Sequence, residues 1–121
     1  MARIVLVGLD EIASGQIIAA LEASAHVVQR KSETLLLRDL AEIDMIFAGG
    51  TADQYIPLLK RVHNLRPALP FVVVTRIPET REWLDALEAG ATDYCSAPFE
   101  TNHIEWLLES ALTPRPAVVA A

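Results

Sequence analysis

The chain has 121 residues, 16 acidic against 10 basic side chains for a formal charge of −6, 52% hydrophobic residues and a single cysteine. At this length one domain buries roughly two thirds of the surface that its unfolded chain exposes, so a core forms without staples. Cys95 has no partner for an internal disulfide. The acidic balance offers no positive field to a phosphate backbone or an anionic lipid surface, which sets nucleic-acid and membrane binding aside. No apolar run approaches the ~18 residues of a membrane span, and the run at 4–9 is too short for a signal segment and meets Asp10 and Glu11 at once. The expectation is a cytoplasmic protein without bound cofactor or metal.

Taken in chain order, apolar runs rich in β-branched residues alternate with segments of helical periodicity, the pattern of repeated βα units. The strand candidates are 3–7 (RIVLV), 26–30 (HVVQR), 43–48 (IDMIFA), 71–75 (FVVVT) and 92–96 (TDYCS). The first, third and fourth are nearly continuous, as in strands covered on both faces. Ala13, Ile17, Ala20 and Leu21 mark the first helix. The second, near 33–42, is ambiguous because Leu35, Leu36 and Leu37 in a row also suit a strand. Tyr55, Leu58, Leu59, Val62 and Leu65 mark the third, opened by a capping-box spacing at Thr51 and Gln54. Pro78 suits the first turn of the fourth helix and Gly90 its C-terminal cap. Ile104, Leu107, Leu108, Ala111 and Leu112 line the fifth. Residues 1–113 then form one domain, and 114–121, with two prolines in TPRPAVVAA, form a tail or linker.

Parallel strands joined by right-handed helical crossovers predict a three-layer α/β sandwich with its functional crevice at the C-terminal strand ends. Those ends are residues 8–10, 49–53, 75–78 and 97–100.

The residues there resemble the receiver domains of bacterial two-component response regulators. The most specific segment is AGATDYCSAPF at 89–99, similar to the family's fifth-strand pattern of Ala-Gly-Ala, an aromatic residue and Lys-Pro-Phe. FVVVT, IDMIFAG and RIVLV are similar to its fourth, third and first strands. The resemblance implies a flavodoxin-like (βα)5 fold with a five-stranded parallel sheet of order 2-1-3-4-5. It also implies a phosphoacceptor Asp after the third strand, an acidic pair for Mg²⁺ after the first, a Lys in the fifth-strand loop and a hydroxyl after the fourth. That set suits phosphoryl transfer, in which a carboxylate attacks phosphorus while cations neutralise the transferring oxygens. In this sequence the acidic pair falls on Gly8 and Leu9, the acceptor on Gly49 and the Lys on Ala97; only the hydroxyl, Thr75, and the aromatic switch position, Tyr94, are kept. The Lys-Pro peptide of the family is usually cis, so Ala97–Pro98 is expected to be cis by resemblance, against a generic X-Pro frequency of about 5%.

Three readings follow. The first is a degenerate receiver, a non-catalytic signalling module of a two-component phosphorelay. It acts by binding a kinase, a regulator or a linked output domain, with a homodimer as a further option. Its interaction face is the fourth helix, fifth strand and fifth helix, carrying Trp83, Leu87, Tyr94 and Trp106, since exposed aromatics anchor interfaces. The second is a phosphoacceptor that uses Asp10 or Asp53. The third is an anion or nucleotide sensor built on the Gly49–Gly50 turn and Thr75. GLDEIASG after the first strand lacks GxGxxG and puts Asp10 and Glu11 where a pyrophosphate would sit. His26, His63 and His103 lack ligand spacing and read as ordinary boundary residues, and Cys95 as a buried small hydrophobe. The serines have no Gly-x-Ser-x-Gly elbow. The surplus acids, among them Glu79, Glu82, Asp85, Glu88, Glu105 and Glu109, belong to helix surfaces and favour protein recognition over catalysis.

Overall fold

β-Branched density sets where the strands form, and two-sided burial sets how they lie. The computed structural model describes residues 2–23, 26–75 and 79–96, with 104, 106 and 109 beyond them. Strands β1 (Arg3–Val7), β2 (Val27–Arg30), β3 (Met45–Ala48), β4 (Phe71–Thr75) and β5 (Asp93–Ser96) form one parallel sheet in the order β2-β1-β3-β4-β5. Helices α1 (Glu11–Ala23), α2 (Glu33–Arg38), α3 (Ala52–Leu65) and α4 (Thr80–Glu88) fill the crossovers, with a 3-10 turn at Leu40–Glu42. Residues 104, 106 and 109 are helical, as expected for a fifth helix. This is the flavodoxin-like arrangement that the strand ends imply. No helix among the described residues is long and apolar enough to cross a membrane.

Alternate side chains of the central strands divide between two cores. Val5, Ile46, Ala48, Phe71 and Val73 pack under α2, α3 and α4 with Leu36, Leu58, Leu59, Val62 and Ala86. Ile4, Leu6, Met45, Phe47, Val72 and Val74 pack on the other face with Ile17, Ala20, Leu21 and Ile104. Both sets leave water almost completely, which is why these strands read as unbroken apolar runs rather than alternating ones. β2, at the sheet edge, ends in exposed Gln29 and Arg30.

The ambiguous leucine run is a helix because Ser32 caps it: its Oγ accepts from the Leu35 N–H at 3.3 Å. Only Leu36 is fully buried there, while Leu35 is exposed. The Gln54 side chain accepts from the Thr51 N–H at 3.0 Å, the reaching-back arm of the expected capping box. Gly90, at φ 111°, follows α4. Its N–H reaches the Leu87 carbonyl and that of Ala91 reaches Ala86, a Schellman ending.

One expectation is corrected. Leu65 is exposed rather than part of the α3 core stripe. A helix of this length runs ~21 Å against ~17 Å of strand, so its last turn overhangs the sheet. Pro78 lies outside the described residues; α4 starts at Thr80 with Glu79 as N-cap and the Trp83 N–H on the Glu79 carbonyl at 2.9 Å. The expected boundary between 113 and 114 and the tail lie outside the described residues.

Two polar clamps hold the connections. Arg66, capping α3, donates Nη1 to the carbonyls of Leu40 at 2.8 Å and Ile43 at 2.6 Å, fastening the 3-10 turn beneath the sheet. Asp39 accepts from Arg38 Nε at 3.1 Å and Lys31 Nζ at 2.6 Å, and these hydrogen bonds hold its carboxyl at about 2. Replacing Arg66 by Met keeps the stem and removes both charged hydrogen bonds, with an expected loss of about 2 kcal/mol by urea unfolding. The depressed Asp39 carboxyl contributes stability fully above the unfolded value of ~3.9, and loses it as pH falls toward 2. Stability of Asp39→Asn, measured against the parent from pH 7 to pH 2, should therefore be lower near neutrality and converge at the acid end.

Candidate functional site

The chain leaves the middle of the sheet in opposite directions after β1 and β3, so the crevice opens where these two strands end side by side. At this point the backbones close on each other. The Gly49 N–H donates to the Val7 carbonyl at 2.9 Å. Gly8 has φ 70°, and a Cβ on it would lie 2.8 Å from the Gly49 carbonyl oxygen. A Cβ on Gly49 would lie 2.6 Å from Cδ2 of Leu9, 3.1 Å from the Gly8 oxygen and 3.4 Å from the Val74 oxygen. Positions 8, 9 and 49 therefore meet, as the sequence implies, and what they form is an apolar closure. Leu9, packed against the core that holds Ile4, Leu6, Phe47 and Val74, occupies the space beside Gly49. Thr75 ends β4 next to the same edge, half-buried, in register with Ser96. Ala97 and Pro98, and with them the expected cis peptide, lie outside the described residues.

The nearby acids have other work. Asp10 Oδ1 accepts from the Ala13 N–H at 2.8 Å and caps α1. Asp44 sits at the opposite edge, accepting from the Arg3 N–H at 2.7 Å. Asp53 is exposed in the first turn of α3, where a carboxylate suits the helix dipole. Among the described residues no three His, Cys, Asp or Glu side chains converge as metal ligands. A cleft of about 340 Å³ touches Gly8 and Gly49, but among the described residues its charged lining is Glu33 and Asp53, neither of which would receive an anion. The Thr51 N–H that an anion at the glycine turn would need is already taken by Gln54.

The remaining candidates separate from this crevice. His26 accepts from the Ala2 N–H at 3.0 Å and the ring of His63 packs on Gly90, both structural placements; His103 lies outside the described residues. Cys95 is buried, and burial pushes its thiol up to about 12. Tyr94 is buried beneath α4, its hydroxyl donating to Glu82 Oε2 at 3.3 Å and lying 3.5 Å from the Glu79 N–H. Trp83, Leu87 and Trp106 are 42%, 37% and 58% exposed.

Leu84, beside Trp83 and Leu87 on the same helix, is 51% exposed and extends their ridge. One residue here was missed in the sequence. Tyr55 reads only as core, yet its buried hydroxyl finds no hydrogen-bond partner among the described residues. Burial, with Glu82, Tyr94, Asp85 and Glu79 adding to it, raises that hydroxyl to about 12.

The closure at Gly49 makes a packing prediction. Gly49→Ala drives a methyl into Leu9 and should cost about 1 kcal/mol. Combined with Leu9→Ala it should cost less than the two single changes together, a coupling readable by urea unfolding of the four proteins.

No protein-family model matches the chain. It is 30% identical over 110 residues to Protein PetR of Rhodobacter capsulatus, covering 91% of this chain and 44% of that protein. It is 36% identical over 66 residues to the phosphate regulon transcriptional regulatory protein PhoB of Klebsiella pneumoniae, covering 54% of this chain and 28% of that protein. The chain thus spans less than half the length of these curated relatives. Its fold is similar to that of a putative response regulator from Chloroflexus aurantiacus, with a TM-score of 0.82 at 22% identity, covering 93% of this chain and 98% of that one. It is equally similar to a response regulator from Thermotoga maritima, with a TM-score of 0.82 at 19% identity, covering 94% and 99%. The chain is thus similar in sequence to PetR and PhoB over part of their length and shares the fold of solved response regulators.

Proposed function

We propose that this chain is a receiver-like module of two-component signalling that works without aspartyl phosphorylation and acts by binding a protein partner. The observation that carries this reading is the contact between Leu9 and Gly49. A receiver's chemistry needs a carboxylate at the end of the third strand facing a metal held after the first. Here the acceptor position is a glycine whose Cβ direction points into Leu9. A side chain at position 8 would strike the Gly49 backbone. The nucleophile and its cation site are thus replaced by mutual packing, which leaves no charged group at 8, 9 or 49 to support transfer.

Substitution by a neighbouring acid is less well supported. Asp10 is engaged as a helix cap, and Asp53 is exposed in the first turn of α3. The acidic cleft lining and the occupied Thr51 N–H weigh against an anion or nucleotide sensor. What remains is recognition: the exposed ridge of α4 and exposed Trp106 are apolar side chains of the kind that anchor protein interfaces. The partner would be a kinase, a regulator or an output domain, and the module itself non-catalytic.

Incubation with acetyl phosphate and Mg²⁺ followed by intact-mass measurement tests the central claim. The mass should stay unchanged. A phosphoryl adduct that disappears in Asp10→Asn or Asp53→Asn would overturn the reading and locate the acceptor.

A further inference from the structure

A larger cleft, of about 720 Å³, runs between α3 and α4 and includes neither the two crevice glycines nor Trp83. That volume lies in the range of small-molecule sites. Asp53, Ile56, Pro57 and Lys60 form one wall as a single stripe of α3, and Asp85, Glu88 and Ala89 form the other as a stripe along α4 and its C-cap. Ala52, Ile56 and Ala89, packed on the core beneath, give an apolar floor. The walls differ in charge. Residues 1–78 carry eight acids and eight bases, whereas from Glu79 onward eight acids stand against only Arg81 and Arg115. The α4 wall accordingly brings two carboxylates, and the α3 wall brings one carboxylate and the Lys60 ammonium. Among the described residues these four charges form no ion pair with one another, although all line one cleft.

Pro57 adds an acceptor. Inside α3 it has no N–H to offer the carbonyl of Asp53, one turn back, and its ring crowds that carbonyl. Asp53 and Pro57 both line the cleft, so the freed oxygen belongs to this wall.

We infer that the α3–α4 cleft binds a small molecule carrying one carboxylate and two cationic groups on an aliphatic stem, the chemistry of a basic α-amino acid. The site is independent of the binding-module reading above. Lys60 receives the carboxylate, and Asp85 and Glu88 receive the ammonium next to it. Asp53 and its freed carbonyl receive the distal cation, while Ile56 and Pro57 cover the methylenes between. Positions 53 and 60 stand ~10 Å apart along α3, a span that an extended chain bridges and a single ion does not. Three carboxylates against one ammonium leave the cleft at −2, which favours a ligand of net positive charge and rejects an acidic one.

L-Lysine and L-arginine are titrated into the full chain by calorimetry. Each should bind with a Kd below about 1 mM. Cadaverine, which is lysine without its carboxylate, and norleucine, which lacks the distal ammonium, should bind at least about tenfold more weakly, as expected for one lost charged hydrogen bond. Nα-Acetyl-lysine, the form a protein chain end would present, should be weakened likewise. Lys60→Met should bring lysine down to the level of cadaverine and leave cadaverine no weaker. Asp85→Asn with Glu88→Gln should weaken lysine at least about tenfold, whereas Glu11→Gln with Glu22→Gln, on α1, should leave it unchanged. Pro57→Ala returns an N–H to the Asp53 carbonyl. It should raise the urea midpoint and yet weaken lysine, a pair of shifts that partial unfolding does not produce. No binding of lysine or arginine at millimolar concentration would overturn the inference. Cadaverine binding as tightly as lysine, lysine untouched by Lys60→Met, or equal loss in the α1 control would overturn it too, as the marks of a diffuse acidic surface that attracts any amine.

Discussion

Burial of β1, β3 and β4 on both faces is the constraint from which the rest of the structure follows. Each central strand sends alternate side chains into two separate cores, so neither face tolerates a polar residue and neighbouring strands must keep strict register. Register then fixes which residues meet where the strands end. Val7 pairs with Ala48, and one step further Gly8 faces Gly49. The candidate site is thus a by-product of core packing carried one residue past the sheet.

On the proposed reading, that step is where the chain departs from phosphoryl-transfer chemistry. Two glycines allow the β1 and β3 exits to approach until backbone oxygen atoms sit in side-chain territory, and Leu9 covers what remains. Such a seat rewards apolar contact, whereas transfer requires fixed charges in a partly solvated pocket. Meanwhile Tyr94, buried and hydrogen-bonded to Glu82, ties β5 to α4. Exposed apolar area collects on α4, which has little core of its own to fill.

Much of the fold was legible because two-sided burial writes itself into sequence as unbroken apolar runs, and the fifth-strand segment supplied the strand order by resemblance. The second helix was not, because Leu35, Leu36 and Leu37 carry no period; one Ser32 hydrogen bond decides it. Leu65 kept its period past the point where there was sheet to cover. For the site, the missing carboxylates were readable as identities. The direction of Leu9 Cδ2 was not, since it depends on how closely two backbones approach. Arg66 looked like any surface base, and only the fold brings the Leu40 and Ile43 carbonyls to its guanidinium. The split of charge about Glu79 is plain arithmetic in the sequence, but its meaning required knowing which residues share a helix.

The closeness of Gly8 and Gly49 also bears on how such a chain can change. An aspartate arriving at position 49 alone finds Leu9 in its way, while one arriving at position 8 meets a carbonyl oxygen and a left-handed backbone. On the proposed reading, each single step toward a carboxylate at these positions therefore costs stability before any benefit exists. Steric fit behaves here as a ratchet: once the two backbones have closed, ordinary selection for a folded protein keeps them closed.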